Sequence, residues 1–306
     1  MPALTVLGVP TSAGAFAPGQ ELAPAALRQA GLLDRLSAEG VEVADLGDSP
    51  VWRWRPDTAR PRAQNLAEVA RIARETGDRV ARARENPGPI LVLGGDCTIE
   101  LGTVAGHMAQ DEEVGLVYFD VHPDLNTPAS VHEGALDWMG MAHALGVDGA
   151  ERELAGIGGR TPLLGDHQVL FFSYGPEQAT PFELEQMERR ELARVPVDEV
   201  SADPEGAARR AVDEFGARFA RLLVHFDVDT IDFNDAPLSD NTGRGEGLAF
   251  DTAMRTLRML VGSERLAALT VTELNPLHGD ERGQTIGRLV AGLADCLVTS
   301  PALRAG

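Results

Sequence analysis

The chain has 306 residues, is 43% hydrophobic and carries a formal net charge of −20, with a sequence pI of about 4.7. That apolar content is enough for a substantial core, in one large α/β domain or two smaller ones. The acidity excludes the basic face that nucleic acid or an anionic membrane surface requires, and most of it reads as solvated surface.

Strand-like and helix-like segments alternate from the start. Residues 4–9 are a short apolar run that predicts a strand. After a glycine-rich loop, Ala26, Leu27, Ala30, Leu33 and Leu36 recur at helical spacing and predict a helix over 24–36. A second strand is predicted at 41–46. The Pro/Arg-rich stretch 51–62 reads as a loop in which Trp52 and Trp54 pack on core or surface, with a subunit contact as the alternative. A charged amphipathic helix follows over 65–84. Then come a buried strand at 90–93 ending in Gly94-Gly95-Asp96, a helix at 98–108, and strands at 114–119 and 169–173. A helix over 203–221 leads into a strand at 222–226. The last strand is expected at 266–272 and a closing helix at 285–297. Apolar strands alternating with helices are the pattern of a mostly parallel sheet covered on both faces, a three-layer α/β/α sandwich. One continuous domain over residues 1–306 is expected. No apolar run approaches the roughly 20 residues that span a bilayer, and the N-terminus lacks a secretory signal pattern, so a cytoplasmic location is expected. Two distant cysteines, Cys97 and Cys296, make no disulfide framework.

Two acidic clusters follow apolar strands: Asp120-Val121-His122-Pro123-Asp124 and Asp227-Val228-Asp229. Alternation along an extended chain places Asp120, His122 and Asp124 on one face, and Asp227 with Asp229 on one face. Asp96 and Glu273 also fall at strand ends, where open parallel sheets collect function. A lone aspartate there is commonly a cap or turn residue. Two such clusters, each closing an apolar strand, rarely are. Converging carboxylates repel one another without a cation, so a divalent metal site is expected. Oxygen ligands with one imidazole suit a hard or borderline cation such as Mn²⁺, as one ion or two. Such a cation generates hydroxide near neutral pH, a nucleophile suited to the planar carbon of an amide, amidine or guanidinium. A guanidinium also needs a carboxylate partner, and Glu273 is placed to be it. His225 lies inside an apolar strand and reads as a core histidine; His107, His143 and His167 have no supporting context.

Gly8-Val9-Pro10, Pro24-Ala25-Ala26-Leu27-Arg28, Gly94-Gly95-Asp96, the run Asp120 to Pro128, Phe226-Asp227-Val228-Asp229 and Glu273-Leu274-Asn275-Pro276 occur in this order. In these motifs the chain resembles the ureohydrolase (arginase/agmatinase) family over nearly its whole length. The resemblance implies a parallel α/β/α sandwich assembled as a homotrimer or homohexamer. It also implies two Mn²⁺ ions and hydrolysis of small guanidino compounds to urea. By position it makes Asp120 and Asp227 bridging ligands, His122 and Asp229 ligands of the second metal, and Asp124 a ligand of the first. Asn126 takes the place that holds a substrate carboxylate in arginases, and Glu273 the place facing the guanidinium.

The departures from that pattern concern the chemistry. The family has His-Ser after Gly-Gly-Asp, where this chain has Cys97-Thr98. The missing histidine is a first-metal ligand, and a thiolate suits Mn²⁺ poorly. Two readings of Cys97 stay open: a direct ligand, or a small buried residue beside a single metal. In the loop after Pro128, arginases carry a Ser-Gly-Asn-x-His-Gly run whose histidine shuttles protons. Here Glu133 takes the place of that serine and Asp137 that of the histidine, with His132 nearby as a substitute; Asp137 can move protons only with a shifted pKa. Arg244 stands in a longer loop where arginases contact substrate, and suits a second carboxylate or polar substituent. His278 is a further site candidate.

The function expected is metal-dependent hydrolysis of a guanidino or amidino C–N bond with release of urea. A modified arginine such as N-hydroxyarginine suits the altered site, because its less basic leaving group demands less of a proton shuttle; agmatine, other guanidino acids and formimino amino acids stay open. The alternative is a catalytically inactive arginase-fold protein with a binding or regulatory role, motivated by the two missing histidines. Retention of five metal-type residues and Glu273 opposes it, since unpaired buried carboxylates destabilise a fold. An amide hydrolase of the deacetylase type would need a single zinc site with tandem histidines, which the sequence lacks.

Overall fold

Eight strands form one all-parallel sheet in this computed structural model, which describes residues 3–109, 113–280 and 282–304. They are β1 (Leu4–Gly8), β2 (Val43–Asp48), β3 (Ile90–Leu93), β4 (Val114–Phe119), β5 (Val169–Tyr174), β6 (Ala193–Pro196), β7 (Arg221–Asp227) and β8 (Leu266–Thr272). Their order is β2-β1-β3-β8-β7-β4-β5-β6, which puts the last two strands of the chain at the centre. Side-chain alternation feeds two cores. In β4 and β7, Val117, Phe119, Val224 and Phe226 face one layer with the helices Ala23–Gln29, Phe250–Val261 and Gln284–Val298. Leu116, Tyr118 and Leu223 face the other, with Leu66–Ala83 and Ile99–Met108. The α/β/α sandwich expected from the sequence is therefore the fold observed.

The seven expected strands are present. The eighth, β6, lies at the sheet edge and is only half-buried, so its sequence carries no apolar run. The helix expected over 24–36 is two helices, Ala23–Gln29 and Leu32–Ala38, parted at Gly31 with φ 85°. The helix expected over 203–221 is confined to Pro204–Arg210, followed by a wide turn at Ala211–Phe215 and a tight one at Gly216–Arg218. Trp52 packs as a loop residue: its backbone pairs with Thr11 and the Arg71 guanidinium lies 4.3 Å above its ring. No helix among the described residues is long and apolar enough to cross a membrane.

The closest backbone crossing lies beneath the site. A Cβ on Gly95 would come within 1.6 Å of the Thr11 carbonyl oxygen. Gly95 also accepts from the Glu273 N–H at 2.8 Å, and the Asp96 N–H donates to Thr11 at 3.1 Å. The ends of β1, β3 and β8 are locked together there.

Candidate metal centre and substrate cavity

Four adjacent central strands, β3, β8, β7 and β4, present Cys97, Glu273, Asp227 and the Asp120–Asp124 loop at one edge of the sheet. The convergence has a different cause from simple strand alternation. β4 ends at Phe119, and Asp120 to Asp124 form an irregular loop with Asp124 in the left-handed region at φ 51°. Asp227 is the last residue of β7, and Asp229 lies in the turn Val228–Thr230 that it caps. Glu273 follows β8 with φ 63°. Left-handed non-glycine residues cost backbone energy and concentrate at functional sites.

The carboxylates orient one another through short backbone bonds. Asp120 Oδ1 accepts from the His122 N–H at 2.7 Å, and Asp227 Oδ1 accepts from the Asp229 N–H at 2.7 Å. His122 Nδ1 lies 2.9 Å from Asp229 Oδ2. The Cys97 thiol donates to Asp227 Oδ2 at 2.9 Å, and the Tyr118 hydroxyl donates to Asp124 Oδ2 at 2.5 Å. Asp120 Oδ2 and Asp229 Oδ1 are buried without a hydrogen-bond partner, which a protein tolerates poorly unless a cation takes them. One ligand atom each from Asp120, His122 and Asp229 lie within 4.8 Å of one another, and so do one each from Cys97, Asp120, His225 and Asp227. The donor chemistry and the orphaned oxygens fit divalent metal at two adjoining positions that share Asp120.

The electrostatics of the metal-free site point the same way. Burial pushes Asp120 and Asp227 well above the carboxylate range, and repulsion from each other's neighbours adds to it. Burial lifts Asp124 to about 7 against the pull of His122. Burial also opposes the charge on His122, but Asp229 outweighs it and holds the imidazole at about 10. Burial raises Asp229 as well, and the His122 charge reverses this to a net lowering. Cys97 is raised by burial and then by Asp227 and Glu273, so without metal it is a neutral thiol.

Above these groups opens a cavity of about 520 Å³ whose walls include eight Asp or Glu side chains, His122 and no arginine. Glu273 is fixed at its base: Oε1 accepts from the Cys97 N–H at 3.0 Å, and Oε2 accepts from the Gln20 amide. Asn126 Oδ1 accepts from the Ser130 and Thr180 hydroxyls, each at 2.9 Å, so its amide hydrogens are the ones available to a ligand. Asp137 and Glu133 line the cavity. Asp137 is buried and raised well above its ordinary range, first by burial and then by Asp96 and Asp124.

Other candidates lie elsewhere. His132 is exposed and outside the cavity lining. Arg244 is also exposed, bonds Asn234 Oδ1 at 2.9 Å and lies over Phe233. His278 stands behind the wall, 2.8 Å from Asp240 Oδ1. Asp96 is a loop anchor, accepting from the Gly14 N–H at 3.0 Å and from the Thr98 hydroxyl. Sequence reasoning missed Glu183 and Asp240; His225 is buried in β7 as expected, and its Nε2 also lies 3.5 Å from Cys97 Sγ. Glu183 lines the cavity, completes a capping box with Thr180 and accepts from the Leu125 N–H at 3.0 Å, beside Asp124. Its signal was legible, as Thr180-Pro181-Phe182-Glu183 is a capping-box sequence.

The sequence model of the Arginase family matches residues 2–299. Arginase from Brevibacillus brevis is 31% identical over 278 residues, covering 90% of this chain and 91% of its own length. The solved structure of arginase from Bacillus caldovelox superposes with a TM-score of 0.86 at 25% identity, over 97% of this chain and 98% of that one. Formimidoylglutamase from Bacillus subtilis shares the fold, with a TM-score of 0.74 at 16% identity over 98% of this chain and 88% of that one. The ordered motifs, the all-parallel sheet and the paired metal positions at its central edge thus have one origin: the chain belongs to the Arginase family.

Proposed function

We propose that this protein is a metal-dependent amidinohydrolase that cleaves a guanidino C–N bond and releases urea. The observation that carries this reading is the acidic cavity, with Glu273 held at its base beside the two metal positions. A guanidinium is a planar cation with a fork of N–H donors, and a carboxylate fixed at both oxygens is its complement. Asp120, His122, Asp227 and Asp229 would hold one divalent cation, and Asp120, Asp227 and Cys97 the other, with Asp124 bordering it; Mn²⁺ fits the first, oxygen-rich set. Bound metal supplies acidified water, and hence a nucleophile at neutral pH.

The chain's own residues then set the substrate. Asn126 and Thr180 offer donors and a hydroxyl to a polar head group, and the carboxylates exclude anionic reactants. Asp137 stands where arginases carry their shuttle histidine. Burial and its acidic neighbours raise it, which would suit it to protonate the departing nitrogen. N-hydroxylation makes the guanidino group less basic, so more of it is neutral and open to attack by hydroxide, which favours N-hydroxyarginine over arginine, with agmatine and other guanidino acids as further substrates. The second reading, a catalytically inactive binding protein, draws on the neutral Cys97 thiol at a metal-ligand position. Turnover of a panel separates the two, read as urea from arginine and agmatine, N-hydroxyurea from N-hydroxyarginine and formamide from formiminoglutamate. Metal-loaded wild type should release N-hydroxyurea from N-hydroxyarginine faster than urea from arginine, and Glu273→Gln should lose that activity. Full metal occupancy with no turnover of any guanidino compound would favour the binding protein.

A further inference from the structure

Resting on that reading of the centre, we propose that its inner metal position is a Cys97–His225–Asp120–Asp227 site built for zinc. "Inner" here means the position on the Cys97 side of the shared Asp120. His225 reaches it through the sheet: two residues before Asp227 on β7, it points to the same face, toward the helix Ile99–Met108. Its Nε2 lies 3.5 Å from Cys97 Sγ. The four ligand atoms fall within 4.8 Å of one another, and all four residues are buried.

The imidazole is already set for this role. Its Nδ1 lies 3.3 Å from Glu100 Oε2. With Glu100 accepting from Nδ1, the Nε2 lone pair would face Cys97 and the Thr272 hydroxyl, 3.2 Å away. A carboxylate behind the distal nitrogen is the arrangement that orients metal-bound histidines. Tyr118 stacks on the ring at 4.2 Å and 10°, which fixes its plane. Zinc accepts thiolate, imidazole and carboxylate in a tetrahedron, whose sulfur–nitrogen edge is about 3.6 Å for ordinary bond lengths. The thiol–imidazole spacing already matches that edge. The Cys97–Asp227 pair is closer because a thiol proton bridges it. Bound zinc would release that proton to solvent and hold Sγ as a thiolate, with the pair opening by roughly half an ångström.

The chain has thus lost an imidazole at position 97 and carries another at 225, at the cost of introducing sulfur. Sulfur decides the metal. Thiolate is soft, and zinc outcompetes manganese at sites with nitrogen and sulfur donors. The outer position, with Asp120, His122, Asp227 and Asp229, keeps oxygen-rich ligands.

The test titrates metal-stripped full-length protein with Co²⁺ as a spectroscopic stand-in, and with Zn²⁺ against Mn²⁺ in competition. Wild type should show a sulfur-to-cobalt charge-transfer band that Cys97→Ser abolishes. His225→Gln should weaken inner zinc at least tenfold while the outer cation stays bound, which also reports an intact fold. Glu100→Gln, which leaves the imidazole in place, should weaken inner zinc in the same direction. Cobalt bound stoichiometrically without the band, manganese preferred over zinc at the inner position, or unchanged zinc affinity in both His225→Gln and Glu100→Gln would each overturn the assignment. A protein that passes these metal tests yet releases neither urea nor N-hydroxyurea loses the hydrolase reading and keeps the zinc site, so the two failures are distinct.

Discussion

Position 97 carries a thiol where the family resemblance implies an imidazole, and its consequences run in two directions. A thiolate there would lower the affinity of the inner position for a hard cation, and its sulfur lies 3.5 Å from His225 Nε2. Restoring nitrogen should reverse the first effect. Cys97→His, loaded with equimolar Zn²⁺ and Mn²⁺, is expected to hold more manganese per chain than wild type by elemental analysis. An unchanged metal ratio would mean that sulfur does not select the cation. Glu273 makes a second prediction at this scale. Its two oxygens are already committed to Gln20 and the Cys97 N–H, so Gln at 273 keeps the shape and removes the charge that a guanidinium meets. Urea release by Glu273→Gln should fall about 10²–10³-fold with metal content unchanged. Loss of metal alongside activity would place Glu273 among the ligands instead.

The helix Pro181–Arg189 shows how one element supports the site from outside it. Thr180 caps its N-terminus by accepting from the Glu183 N–H at 3.3 Å, and its hydroxyl donates to Asn126 at 2.9 Å. Thr180→Ala removes both at once. It should cost about 0.5–2 kcal/mol in thermal or urea unfolding and raise KM more than it lowers kcat, with Thr180→Ser restoring both. A stability loss at unchanged KM would show that Asn126 does not hold substrate. This element also marks where sequence reading stops. The apolar strands announce themselves because both faces of a central parallel strand are buried, and the Asp-x-His-x-Asp and Asp-x-Asp clusters are local patterns. β6 carries Arg194 and Pro196 on a half-buried edge, and so has no apolar signature. The contacts of His225 with Cys97 and Glu100 span 128 and 125 residues. A histidine in an apolar strand looks like a core residue until the fold brings its partners in.

Over the whole molecule, the buried acids tie stability to pH and metal together. Without metal, burial holds Asp124 at about 7 against an ordinary 3.8. Between those values the unfolded chain has lost this proton and the folded chain has kept it, so folding stability falls as pH rises through the window. Asp120, Asp227, Asp137 and Glu273 are raised too, and each adds to the decline. His122 adds a separate loss: its stabilisation is complete below its ordinary 6.5 and disappears as pH climbs through about 10. Metal reverses the sign for its ligands, because it binds their ionised forms and binds more tightly as protons leave. The melting temperature of chelated protein should therefore drop between about pH 4 and pH 7, while that of metal-loaded protein holds or rises. Repulsion at a net charge of −20 acts on both forms nearly alike, so the gap between the two curves reports the site. A gap that stays constant across this range would mean that the acids are already ionised in the metal-free fold, and the orphaned oxygens of Asp120 and Asp229 would need another partner.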